Sequence, residues 1–413
     1  MRILSGRVAA ARVRKLANRS SQFAKVEPAV RRIIADVRRR GDRALCKYAE
    51  RWDGLRADSS LLVSEEEMQA AWKSASPELK ASLRAASANV RRFCEGQEPA
   101  EWRRTRNGIT VGQLVRPLDS VGCYVPGGRY PLVSTLLMTV IPAQVAGVGR
   151  IAVASPQPRK EVLAAAALLG VREVYRVGGA QAIAALAYGT ESIPRVDKIV
   201  GPGNLYVTAA KKLVSFDCAI DFLAGPTEVV IVSDGGTPEF IAADLVAQAE
   251  HDPEALAIFV TTRDDLARQV ARAAEKLSRR NAVAQQSLRR NGIILVSSSR
   301  SESFDWANEV AAEHITVDAA DVTLVRNAGS VFVGDYSPQA AGDYASGPNH
   351  VLPTGGVARF RGGLSVLDFV KLISIQKLTR PGLQRIAGVV ELLADTEGLR
   401  AHAESIRMRC GHA

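Results

Sequence analysis

Residues 150–177, RIAVASPQPRKEVLAAAALLGVREVYRV, decide the fold. RIAVAS and EVYRV are short β-rich runs, and KEVLAAAALLG between them is an Ala/Leu-rich run of helical character. Strand, helix, strand in this order builds a parallel sheet with helices on its faces. The alternation continues in both directions. SVGCYVP and PLVSTLLMTVIPAQVAGV come before it, AQAIAALAYG and DKIVG after it. A second series follows, with strands EVVIVSD, ALAIFVTT and GIILVSS separated by helices PEFIAADLVAQAEHD and DDLARQVARAAEKLSRR, and with SVFVGD later. The sequence therefore predicts an α/β fold of two Rossmann-like lobes with parallel-type sheets and a cleft between them for ligands.

The flanks read differently. EPAVRRIIADVRRRGDRALCKYAERW and PELKASLRAASANVRRFCEG space their apolar residues as helices do, giving a helical N-terminal region. The tail after about Lys371 also reads as helical, and it either frays or docks on something such as a second subunit. No apolar run approaches the ~18 residues that span a bilayer, and arginines interrupt the opening MRILSGRVAAARVRKL, so a cytoplasmic protein is expected.

The net charge is +11, and residues 1–50 hold fourteen Lys and Arg against four Asp and Glu. No aromatic interleaving or groove-entering motif accompanies them, so a solvated basic face is expected and no nucleic acid. Five cysteines, far apart and never in CxxC spacing, exclude a disulfide framework and a zinc–thiolate site. Any metal must be held by nitrogen and oxygen.

Chemistry-bearing residues collect at element boundaries. YVPGGRYP, RVGGAQA and KIVGPGN put glycines where strands pass into helices, so free N–H groups could face an anionic ligand; none matches GxGxxG, and tight-turn geometry is the plainer explanation. Gln248 and His251 in QAEHDP are three apart and could reach one metal, although a helix-terminal His is more often a surface residue. Glu313 and His314 in AAEHITVD offer two proton-transfer groups of different pKa, against the plainer reading of a surface Glu and a half-buried His. GDYASGPNHVLPTGG, residues 342–356, offers Asp343 and His350 in a stretch too rich in Gly and Pro for a helix or inner strand, and the tail offers Glu397 and His402. Two histidines, an aspartate and an amide oxygen would suit a zinc-like ion.

Those blocks, in order VGCYVPGGRYP with STLLMT and PAQVAGV, VGGAQAIAALAYGT, DKIVGPGNLYV, AGPTEVVIVSD, QAEHDP, NEVAAEH, GDYASGPNHVLPTGG and EGLRAHAESIRMR, resemble the histidinol dehydrogenase family from about residue 25 to the tail. The resemblance implies oxidation of L-histidinol to L-histidine through bound L-histidinal, with NAD and one zinc ion per subunit, as the last step of histidine biosynthesis. It implies Gln248, His251, Asp343 and His402 as metal ligands that also contact substrate, and Glu313 and His314 as the catalytic pair. Tyr124, Gln181 and Asn204 would contact NAD; Thr227, His350 and Glu397, with His314, would hold substrate. The family forms intertwined homodimers, so Glu397 and His402 would complete the neighbour's site. The expected division is residues 1–24 as an N-terminal helical arm, 25–118 plus 232–370 as a first lobe with the metal and base residues, 119–231 as a second, NAD-binding lobe, and 371–413 as a C-terminal tail domain.

Three positions depart from the commonest family pattern. Thr227 stands where AGPSE is usual, Gln339 where some members carry a glutamate, and SFDCAID replaces a glycine-bearing segment. With Arg129 and Tyr130 after PGG, they keep open an alternative: the same zinc and NAD machinery acting on another small polar alcohol, such as a sulfonated diol.

Overall fold

The computed structural model describes residues 1–19, 23–56, 59–127 and 132–411. Arg129, Tyr130 and His412 lie outside the described residues. The chain opens with strand β1 (Arg2–Ser5), followed by the helix Gly6–Ala17. After four further α-helices, β2 (Trp102–Arg106) and β3 (Ile109–Pro117) form an antiparallel hairpin. Next come β4 (Ser120–Tyr124), β5 (Arg150–Ala154), β6 (Glu173–Tyr175), β7 (Lys198–Val200) and β8 (Ala219–Ile220). They make a five-stranded sheet in the order β6-β5-β4-β7-β8, parallel throughout. Then β9 (Glu228–Val232), β10 (Leu256–Thr261), β11 (Ile293–Val296), β12 (His314–Val317) and β13 (Ser330–Val333) join β1 in a six-stranded parallel sheet, ordered β1-β11-β10-β9-β12-β13. Last, β14 (Val370–Leu378) pairs antiparallel with β3.

The central strands have no polar face. Every residue of β4, β9 and β10 is buried, because helices cover both faces of a parallel sheet. In the opening stretch, RIAVA forms β5, Lys160–Leu168 the crossover helix and EVY β6, as the pattern predicts.

The structure redraws the division of the chain. The first residues are not a purely helical arm: β1 is an edge strand whose Ile3 pairs with Ile294. The helices between residues 25 and 95 share their cores chiefly with the 120–220 sheet, and through Val351, Leu364, Val366 and Phe369 with part of the later chain. Val30, Ile33, Ile34 and Val37 of the helix Glu27–Arg40 share a core with Ile183 and Leu186, while Met68, Leu83 and Val90 share one with Val121, Val140 and Leu163. Apolar stripes on helices reveal that they are buried but not against which sheet, and this is where the expectation failed. Residues 228–231, placed with the second lobe, form most of β9 in the six-stranded sheet. The tail likewise begins as a strand, β14, whose β-branched residues extend the β2–β3 hairpin before the helices Arg380–Thr396 and Arg400–Cys410 begin. No helix among the described residues is long and apolar enough to cross a membrane.

Candidate active site

Two strands of the six-stranded sheet start at the site: Glu228 opens β9 and His314 opens β12, and the parallel register places His314 against Val229. Glu313 immediately precedes β12 and is only 8% exposed. Its Oε2 accepts from the Glu228 backbone N–H at 3.0 Å and from the Thr227 hydroxyl at 2.5 Å. The Thr227 hydroxyl in turn accepts from the Gln248 amide. Gln248 Nε2 faces Thr227 and also lies 3.4 Å from His314 Nδ1, so the amide oxygen is the end left without a hydrogen bond among the described residues.

His314 is buried, and its Nδ1 lies 3.2 Å from the carbonyl oxygen of Glu228. A carbonyl only accepts, so Nδ1 carries a proton, and in the neutral ring Nε2 presents the lone pair. That Nε2 is buried, has no hydrogen-bond partner among the described residues, and lies 3.7 Å from Asp343 Oδ1. Asp343 lies in the last turn of the short helix Gln339–Tyr344, so the first residues of GDYASGPNHVLPTGG are helical after all. Past this turn the segment docks on the other lobe: Asn349 Nδ2 donates to the Met138 carbonyl at 2.6 Å, and His350 Nε2 lies 3.4 Å from Thr135 Oγ1. His350 Nδ1 is 2.7 Å from the Asp343 backbone carbonyl. The loop thus bridges the six-stranded sheet to the first turn of the helix Val133–Val145, which follows β4.

The electrostatics follow from crowding charges in a dry place. Burial pushes the Glu313 carboxyl up to about 7, against the opposing pull of His314 and the Thr227 hydrogen bond. For His314 burial opposes protonation, but Glu313 and Asp343 outweigh it and lift its pKa. Burial would raise Asp343 too, yet His314, His350 and His251 hold it below the ordinary carboxylate range. Burial depresses His350. A carboxyl and an imidazole, both with raised pKa and held side by side, suit proton transfer.

For a metal, the donor set is partly assembled. Gln248 lies in the last turn of the helix Pro238–Ala249, His251 follows it exposed, and Asp343 stands within electrostatic reach of His251. Among the described residues no three His, Cys, Asp or Glu converge to hold a metal. The donors of this chain that would count there are His251 and Asp343, since Gln248 is an amide. His402 sits exposed on the helix Arg400–Cys410 and Glu397 exposed at the end of Arg380–Thr396. No hydrogen bond or ion pair among the described residues joins either to Glu313, His314, Gln248 or Asp343, so the fold of one chain does not close the set.

The residues expected at the dinucleotide lie in the other lobe, at the carboxyl ends of its strands. Tyr124 ends β4, is buried, and its hydroxyl accepts from the Gly179 N–H at 3.1 Å. Gln181, on the helix Gly179–Tyr188, donates to Asp53 Oδ2 at 3.2 Å, the same oxygen that accepts from Gly178 N–H at 2.9 Å. Asn204 caps the helix Leu205–Val214, its Oδ1 accepting from Tyr206 N and Val207 N. Asp53 also lines a cleft of about 570 Å³ with Gln157, Arg159 and Lys160. Sequence reading missed Asp53 and Glu228. A carboxylate heading the otherwise apolar strand EVVIV was the available signal for Glu228; nothing local marked Asp53.

A family model for histidinol dehydrogenase matches residues 16–410. The chain belongs to the histidinol dehydrogenase family. Histidinol dehydrogenase of Methanothermobacter thermautotrophicus is 49% identical over 391 residues, covering 91% of this chain and 92% of that protein. The Geobacillus kaustophilus histidinol dehydrogenase is 49% identical over 397 residues, covering 92% and 93%. A crystal structure of histidinol dehydrogenase from Elizabethkingia anophelis matches with a TM-score of 0.94 at 35% identity, covering 99% of this chain and 98% of that one. As a member of the histidinol dehydrogenase family the chain is an oxidoreductase. Of the departures, Thr227 keeps its hydroxyl in the Gln248–Glu313 relay, and Gln339 is buried with its amide N donating to Thr316 Oγ1 at 2.6 Å.

Proposed function

We propose that this protein oxidises L-histidinol to L-histidine by way of bound L-histidinal, with NAD as hydride acceptor and one zinc ion per subunit. The observation that carries this reading is the buried, unpartnered Nε2 of His314 beside Asp343, with Glu313 one residue away. Gln248, His251 and Asp343 would hold the metal, with His402 supplied by a second subunit. When bound, the ion would supply a template for the substrate's amino and imidazole nitrogens and, secondarily, Lewis acidity.

The chain's own residues do the rest. His314 Nε2 takes the alcohol proton in the first oxidation, its orientation fixed by the Nδ1 bond to Glu228. Glu313, aligned by Thr227 and the Glu228 N–H, draws a proton from the water that adds to the aldehyde in the second. His350, Thr227 and the partner's Glu397 hold the substrate, and burial keeps the aldehyde from bulk water. Tyr124, Gln181 and Asn204 line the dinucleotide's path, and the cleft beside Asp53 has room for its far end. A homodimer with shared sites gives the exposed tail its place, and no nucleic acid or membrane partner is needed. The deciding measurement is NADH formed per histidine produced. Two NADH per histidine, lost with a chelator and recovered with zinc, are expected; metal-loaded protein that leaves histidinol unchanged would refute the proposal.

A further inference from the structure

Resting on the assignment of Glu313 and His314 as the proton-transfer pair, we infer that Arg19 is the positioning residue that holds both bases in register. The two bases share one neighbour, the peptide of Glu228. Its N–H donates to Glu313 Oε2 at 3.0 Å and its carbonyl accepts from His314 Nδ1 at 3.2 Å. Any rotation of this residue moves both groups together.

The Glu228 side chain points the other way and is clamped. Arg19 Nε and Nη2 donate to its two carboxylate oxygens at 2.6 Å each, a planar fork-to-fork pair, with the Glu228 side chain 5% exposed. The remaining guanidinium nitrogen donates to the carbonyls of Leu16 at 2.6 Å and Val310 at 2.9 Å. Val310 ends the helix that leads into Glu313, so one guanidinium spans the N-terminal segment, the start of β9 and the approach to β12. Gly355 N–H adds a third donor to Glu228, at 3.1 Å, from the loop that carries His350. Arg19 itself touches none of the reacting groups, and it gives one residue of the strongly basic N-terminal region a specific task.

A lysine cannot reproduce this geometry, because its ammonium is a single point and the Glu228 carboxylate needs two parallel donors. The experiment uses zinc-loaded, full-length protein and measures alcohol oxidation and aldehyde oxidation separately. Wild-type turnover of histidinol tests the underlying assignment alone; without it the function, rather than the role of Arg19, is wrong. Given wild-type turnover, Arg19→Lys is expected to lower kcat of both half-reactions by a similar factor, roughly tenfold to a hundredfold, while KM values stay near wild type. Arg19→Ala is expected to regain rate with millimolar guanidinium and not with equal ionic strength of sodium chloride. Should Arg19→Ala not fold, the double variant Arg19→Met/Glu228→Gln, which leaves no buried lone charge, replaces it and is expected to show the same paired loss. A folded Arg19→Lys with wild-type kcat, or a loss confined to one half-reaction, overturns the inference.

Discussion

Glu313 is protonated at pH values where an ordinary glutamate is charged, and this has a thermodynamic consequence. Its pKa moves from 4.5 to about 7 on folding, so between those values the folded state holds a proton that the unfolded chain has lost. Stability therefore falls as pH rises through that window, by on the order of 1 kcal/mol per pH unit. His314, also raised, loses its contribution in the same direction, as does Asp244, which burial lifts to about 6. Asp343 runs oppositely: its lowered pKa gives stability that is present above 3.8 and lost in acid. For metal-free protein, thermal unfolding should show Tm dropping between about pH 5 and 7, and Glu313→Gln should flatten that drop; a slope unchanged by the substitution contradicts the buried, protonated carboxyl. Kinetically, Glu313→Gln should slow aldehyde oxidation by roughly 10²- to 10⁴-fold and His314→Asn mainly the alcohol step, as read by feeding each intermediate separately. The residue types of this pair were legible in AAEH because a carboxylate and an imidazole side by side advertise proton transfer. Their supports were not, since Thr227, Glu228 and Arg19 reach the pair through tertiary contacts over 85 to 291 positions along the chain.

At the scale of elements, the turn after β7 shows what a glycine there is for. Gly201 has φ +111°, and a Cβ on it would stand 2.2 Å from the Tyr124 carbonyl oxygen, so β4 and the GPGN turn can meet only because that atom is missing. The turn is also pinned electrostatically: Lys211 pairs with Asp221, Lys211 Nζ donates to the Gly201 carbonyl at 2.9 Å, and Asp221 accepts from Gly201 N–H at 2.8 Å. Both charges are buried, so removing one partner leaves the other stranded. Lys211→Met should lower unfolding stability by about 3–5 kcal/mol, and Lys211→Met/Asp221→Leu should recover much of it, as measured by denaturant unfolding. If the single and double variants lose equally, the pair is not what holds the turn. The strand and helix series was readable because Ala/Leu runs and β-branched runs alternate without interruption from β4 to β11. The partners of the helices between residues 27 and 95 were not, because an amphipathic stripe carries no address.

At the scale of the molecule, the tail stands out as a surface awaiting a complement. Leu392 and Met408 are 69% and 73% exposed, with Val389 and Leu393 also outward, on a helical hairpin closed by Arg407 against Asp395 at 2.7 Å. The proposed sharing of the site between subunits makes a direct prediction. A chain carrying His402→Ala and a chain carrying Glu313→Gln, each inactive alone, should regain activity when co-expressed, because a mixed dimer holds one intact site. Two-fold symmetry sets the recovery at roughly a quarter of wild type; none at all, with mixed dimers present, means the tail serves its own chain. His402 was legible as a residue and illegible as a position, since a single chain's sequence does not say whose site it enters. The placement of β1 has a different consequence, in the order of assembly during synthesis. Its partner Ile293 emerges some 290 residues after Arg2, which at ribosomal speed is a wait of roughly 15 to 60 s. All strands of the 120–220 sheet emerge in that interval together with the helices that cover them, whereas the amino-terminal strand has no partner until β11 arrives. Nascent chains stalled short of residue 290 should therefore show a protease-resistant 120–220 sheet and a cleavable first twenty residues.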